Sequence, residues 1–230
     1  MSDVKEGNRG NVGMQRVGGI AALYIGIAYL MAIPYFLLFV DYPSVVDPVK
    51  KVLLLRDNYA SMYAMHVLVF MFVAFALIVV TLALHQRLRE GAPSTAQVAA
   101  VVGSIWAGLL LASVMVFNYG MGNVVELYAT SPGQAVSAWQ VIEPVAEALG
   151  SSGGEIVGGV WILLLSVAAL HANELPKALN WLGAGIGVVG IVSVVPALNG
   201  ASVIFGLLQI VWFIWLGVMM LRVRPDVAAV

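Results

Sequence analysis

The hydrophobic and polar positions of this chain fall into long blocks rather than into a short alternation. Six apolar blocks of spanning length, or close to it, are separated by short polar segments; they cover about residues 17–40, 63–84, 97–121, 154–171, 179–198 and 202–223. A helix needs roughly 20 apolar residues to cross a bilayer. Barrel strands would show a two-residue alternation over about ten residues instead. Backbone in lipid must also bond within its own segment, which a helix does. The last two blocks form one stretch with no Asp, Glu, Lys or Arg between Lys177 and Arg222, and Pro196, Asn199 and Gly200 supply the turn that divides it. The pattern predicts an all-α fold: a polytopic membrane helix bundle with six transmembrane helices over residues 17–224. A cytoplasmic tail is expected at 1–16 and a second tail at 225–230.

Composition strengthens this reading. Of 230 residues, 61% are hydrophobic and 10% charged, against about 25% charged in soluble domains. The mean hydropathy is +0.97. The net charge of -1 gives no basic stripe or tail, so nucleic acid is not an expected partner, and the lipid bilayer is. The chain contains no cysteine, which excludes disulfides, thiolate metal sites and covalent haem attachment. The first block is too long for a signal-peptide core and is followed by Asp41, Tyr42 and Pro43, so it is read as a retained span.

Charge then sets the expected orientation. An even number of spans puts both termini on one side, together with Lys5, Arg9, Arg16, Arg87, Arg89, Lys177, Arg222 and Arg224; the other side holds Lys50, Lys51 and Arg56. The positive-inside rule therefore predicts cytoplasmic termini and a multi-pass protein of the cytoplasmic (inner) membrane. The loop 122–153 has no Lys or Arg but carries Glu126, Glu143 and Glu147, as an exported loop should. Asp47 followed by Pro48 predicts a capped short helix at the interface. Within residues 134–150, Ala135, Trp139, Ile142 and Ala146 share one helical face beside Glu143 and Glu147. This predicts an outer amphipathic segment lying at the interface, interrupted or kinked at Pro144.

Candidate chemistry gathers in the outer half. Glu155 opens the fourth block. Ser152 and Glu155 match the S-x-x-E capping box, in which serine and glutamate satisfy free backbone N–H groups reciprocally. The alternative is a carboxylate that handles a proton or ligand, since ionisable residues near a span are functional candidates. His66 stands on the second block with Met62 and Met65 on the same face. These three are weak candidates for a soft metal site, and gap-filling methionines are the ordinary alternative. His66, Asn118, Tyr119, Glu126 and Glu155 together predict an outward-facing polar pocket that binds a ligand. Gly154, Gly158, Gly183 and Gly187 form small-residue faces for close helix packing, which also suit a second copy of the chain or a partner membrane subunit. No cofactor and no catalytic residue is assigned. A phosphate loop, a lysine within a span for a Schiff base, a His-x-x-x-His pair and a Ser–His–Asp arrangement are all missing from the sequence.

Finally, the stretches GGEIVGGVWILLLSVAAL, LPKALNWLGAGIGVVGIVSVVP and FGLLQIVWFIWLGVMMLR, with GGIAALYIGIAYL and RDNYASMYAMHVLVFMFVAFALIVVTLALHQRL before them, resemble the bacterial family known as domain of unknown function 4386. The resemblance spans most of residues 17–224 and implies a six-span inner-membrane protein. It implies no activity and no catalytic residue. The function expected from the residues is binding of a lipid, small molecule or partner subunit. A small transporter or channel is a second reading, and a membrane enzyme using His66 or the glutamates as acid or base a third.

Overall fold

The computed structural model describes residues 2–150, 155–198 and 200–222, with side chains from Gly13 onward. Among these residues the fold is all-helical, without a strand. The helices are α1 (Ser2–Pro34), α2 (Pro48–Asp57), α3 (Tyr59–His66), α4 (Phe72–Leu88), α5 (Pro93–Tyr128), α6 (Pro132–Gly150), α7 (Glu155–His171), α8 (Lys177–Val192) and α9 (Ala201–Leu221). Ser152, Gly154 and the 225–230 tail lie outside the described residues, so the capping box and the Gly154 packing face do as well. α1 carries the helix back to Ser2, through the polar segment expected as a tail.

Five stretches are long and apolar enough to cross a membrane: Gly13–Phe39, Tyr59–Leu88, Pro93–Tyr128, Pro132–His171 and Ala201–Leu221. The predicted fifth block appears as α8, which is apolar but has 16 residues, about 24 Å at 1.5 Å per residue. It packs along α7, which has 17.

Two helix pairs are joined through glycine. A Cβ added to Gly187 would stand 2.7 Å from the carbonyl oxygen of Gly159, and one added to Gly159 would stand 2.7 Å from that of Gly187. No side chain fits there, so α7 and α8 touch backbone to backbone. α1 and α9 meet in the same way: a Cβ on Gly217 would lie 2.8 Å from the oxygen of Gly19. Gly158 and Gly183 face side chains instead, Trp106 and Phe205 for the first, Ser166 and Trp212 for the second. Gly158, Gly183 and Gly187 each stand against a neighbouring helix, and the tightest backbone contact pairs Gly187 with Gly159.

The buried apolar residues form two clusters. The larger runs through the bundle and centres on Trp106, Trp161, Trp212 and Phe213. The smaller lies at the end where α5 passes into α6 and joins Val52, Leu55, Met62, Phe117, Met121 and Trp139. α5, with 36 residues, contributes to both.

α6 takes a different position from the one its sequence predicts. Its apolar face is as expected, with Ala135, Trp139 and Ala146 buried. That face packs along the distal half of α5, with Trp139 against Phe117, Ile142 over Gly120 and Ser113 Oγ donating to the carbonyl of Ala146 at 2.7 Å. α6 therefore stands beside α5 rather than lying flat, because a partner helix of the right length offers its apolar face a drier surface than the interface does. Pro144 lies inside the helix.

At the opposite end, where α4 finishes and α8 begins, Arg87 Nε donates to Glu174 Oε2 at 2.8 Å, and Asn180 Nδ2 donates to the Glu174 carbonyl at 2.9 Å. These bonds tie the turn after α7 to the end of α4.

Candidate functional site

Two irregular helical turns build the site. Pro34 has no N–H to give to the turn before it, and residues Tyr35–Phe39 widen into a π-helical turn closed by Val40 N–H to Tyr35 O at 3.0 Å. Residues Val67–Met71 form a second π-helical turn between α3 and α4. There the Tyr24 hydroxyl donates to the carbonyl of Leu68. Each widened turn presents one phenylalanine, Phe36 and Phe70, to the same cavity. Single π turns of this kind re-aim side chains and recur at functional sites.

The cavity has a volume of about 360 Å³, and its walls include Phe36, Tyr42, Met62, His66, Phe70, Phe117 and Glu147. His66 is its central polar group, only 7% exposed. Its ring stacks on Phe117 at a centroid distance of 4.0 Å and 16° between planes, while Phe36 meets it edge-on at 5.4 Å. Phe70 stands at 5.4 Å on another side. His66 Nδ1 lies 2.8 Å from the carbonyl oxygen of Met62. A carbonyl can only accept, so Nδ1 carries the hydrogen, and Nε2 of the neutral ring is left as an acceptor.

A polar latch adjoins the cavity through Tyr42. Tyr42 donates its hydroxyl to Glu143 Oε1 at 2.6 Å, Lys51 Nζ approaches the same oxygen at 2.7 Å, and the Lys51 ammonium lies 4.4 Å from the centre of the Tyr42 ring. The capped helix predicted at Asp47 and Pro48 is present, with Asp47 accepting from the Lys50 N–H, and it delivers Lys51 to this place. Burial, followed by the bond to Glu143, raises the Tyr42 hydroxyl well above its ordinary value of 10.0. The protonated donor is therefore favoured in the folded state. Its stabilisation is complete below the unfolded value of 10.0 and is lost as pH climbs from there towards the raised folded value. Tyr42→Phe is expected to lose about 1.5 kcal/mol, the low end for a hydrogen bond to a charged group. In thermal unfolding at rising pH, the gap between wild type and variant should close above that ordinary value.

A second, smaller cavity of about 190 Å³ lies deeper, between Glu155, Gln209, Tyr29, Trp106, Leu110, Phe205 and Gly206; Phe70 and Gly150 line both cavities. Glu155 is thus level with Trp106 to Leu110, about 20–25 Å along α5 from Pro93 at 1.5 Å per residue. The sequence places this carboxylate at the outer edge of a span. The structure corrects that, because α6 fills the height between Glu155 and the far end of α5.

The expected polar pocket is not assembled as one unit. His66 and Glu155 line separate, adjoining cavities. Asn118 is buried next to Phe117, and its Nδ2 donates to the Tyr63 carbonyl at 3.5 Å. Tyr119 is 78% exposed, one helical step from Asn118 and turned away. Glu126 is exposed and, by its place on α5, about 24–30 Å further along the helix than Glu155. Of the methionines considered with His66, Met62 lines the cavity and Met65 does not. No group of three His, Asp or Glu able to hold a metal occurs among the described residues.

Sequence reasoning missed Phe36, Phe70 and Phe117, because a phenylalanine within an apolar span carries no mark of its function. Glu143 and Glu147 were visible as a four-residue pair beside the apolar face of α6, and Pro34 marked one of the two widened turns. Comparisons with protein-family models, curated proteins and solved structures found no match.

Proposed function

We propose that this chain is a multi-pass membrane protein that binds a small molecule with a flat apolar body and one hydrogen-bond donor, held in the cavity around His66. One observation carries the reading: three phenylalanines and a histidine with its second ring nitrogen available converge on a cavity of about 360 Å³. Pockets of this kind take most of their affinity from apolar walls and their orientation from a few polar groups.

Several features support the membrane arrangement proposed from the sequence, with six spans and cytoplasmic termini. Gly19 of α1 meets Gly217 and Leu221 of α9, so the N-terminal half of α1 and the C-terminal end of α9 lie at one end of the bundle. Arg16 lies within α1, and Arg87, Lys177 and Arg222 stand at the end of α4, the start of α8 and the end of α9 there. Gathered cations at one end favour the cytoplasmic side. In this arrangement the latch and the His66 cavity face outward.

The test is native mass spectrometry of the protein purified in mild detergent. A bound species should be released on activation, and Phe36→Ala and His66→Ala should each lower its occupancy at least severalfold while the helical circular dichroism is retained. Equal occupancy in both variants and wild type would defeat the reading.

Transport is a second reading, favoured by one specific observation. Thr81, Ser166 and Gln209 are buried polar residues in the bundle interior. Proteoliposomes should then show flux of the ligand identified above, and binding without flux would leave the protein a binder alone.

A further inference from the structure

We propose that the deeper cavity holds the protonated nitrogen of a primary or secondary amine, so that the ligand is an amphipathic amine with its apolar body among Phe36, Phe70 and Phe117. This inference rests on the binding function proposed for the outer cavity and specifies the ligand class.

Three observations carry it. First, Glu155 is a carboxylate on a wall otherwise made of Tyr29, Phe70, Trp106, Leu110, Phe205, Gln209 and two glycines. Among the described residues no cationic side chain forms an ion pair with it. A carboxylate at that depth calls for a compensating positive charge or a proton.

Second, Gln209 is a polar side chain only 8% exposed that lines the same cavity, and its Oε1 has no hydrogen-bond partner. A buried amide oxygen left unpaired is costly and asks for an N–H or O–H donor. It excludes a quaternary ammonium, which has no hydrogen to give, and favours a nitrogen that still carries protons. The remaining walls suit the same charge, because the faces of Trp106, Tyr29 and Phe205 attract cations. Calcium would need six or more oxygen ligands. Here one carboxylate and one amide are set among rings, which is a site for an organic cation.

Third, the two cavities adjoin through Phe70 and Gly150. A molecule anchored by its nitrogen at Glu155 can therefore lay its apolar part against the ring stack at His66. The combined shape separates charge from bulk, as an aromatic alkylamine does.

Tryptamine and its neutral isostere tryptophol test this, by calorimetric titration at neutral pH into the full-length protein in lipid nanodiscs, with empty nanodiscs subtracted. Wild type should bind tryptamine at least about tenfold more tightly than tryptophol, the size of a single well-placed charge contact. Glu155→Gln should abolish that preference, leaving both at the tryptophol affinity, and Gln209→Leu should reduce it. Phe36→Ala should weaken both probes alike, which reports on the outer cavity separately. Equal affinities on wild type, or a preference that survives Glu155→Gln, would overturn the amine site and leave the aromatic cavity standing. Failure of both probes to bind wild type would overturn the two together.

Discussion

Gly159→Leu should separate α7 from α8 and deprive the protein of its folded bundle. Any Cβ at this position meets the carbonyl oxygen of Gly187 at 2.7 Å and the Ile191 nitrogen at 2.8 Å. Both are backbone atoms of α8, so neither can turn aside as the end of a flexible side chain would. Overpacking a core costs about 1–3 kcal/mol when side chains can yield. Here the helices themselves must move apart, so the loss is expected to exceed about 3 kcal/mol. Lipid tails are as apolar as leucine and give no hydrophobic push to restore the pair. Size-exclusion chromatography and thermal unfolding in detergent should show aggregated or early-melting protein. Gly185→Leu is the control, since a Cβ there meets nothing within 4 Å. A melting curve for Gly159→Leu that overlays wild type would mean that α7 and α8 do not touch as described.

Phe117→Ala should be the most damaging change at the site. Phe117 stacks on His66 at 4.0 Å, meets Trp139 edge-on at 5.0 Å and approaches Tyr42 at 6.3 Å. One side chain thereby holds α3, α6 and the segment before α2 against α5. Phenylalanine-to-alanine changes in cores cost about 3–5 kcal/mol. The low end, about 3, applies here, because the reference environment includes lipid rather than water alone. The variant should melt early and lose the bound molecule in native mass spectrometry. Phe117→Leu should recover most of the stability but not the binding, because it restores volume without a flat face for the histidine. Full ligand retention in the alanine variant would remove Phe117 from the binding wall.

Much of the architecture was legible in the sequence. Each apolar block became helix, though α1 and α5 run well past the expected limits and α8 stops short of them, because in lipid the backbone has almost no other way to satisfy itself. The turn at Pro196, the capped helix at Pro48 and the buried face of α6 each follow from local chemistry. What failed was the third dimension. Periodicity shows that α6 has an apolar face but not what covers it, so a flat-lying helix was expected. From that misplaced α6 came the misplaced Glu155, since a carboxylate five residues past Gly150 takes its depth from the course of α6. The grouping of His66 with Tyr119 and Glu126 failed for a related reason. Shared height along a span says nothing about azimuth, and Phe117 rather than Tyr119 points inward. Gln209 is a polar residue within the sixth apolar block, but its neighbour Glu155 comes from a distant part of the chain.

The glycine contacts have a mechanical consequence. Backbone-to-backbone joints make α7 with α8 one stiff block and α1 with α9 another. Glu155 rides on the first block, while Tyr29 and Gln209 ride on the second. The chamber between them is thus a seam between two rigid bodies. Any sliding of one block past the other changes the spacing of the carboxylate and the amide directly, without bending a helix.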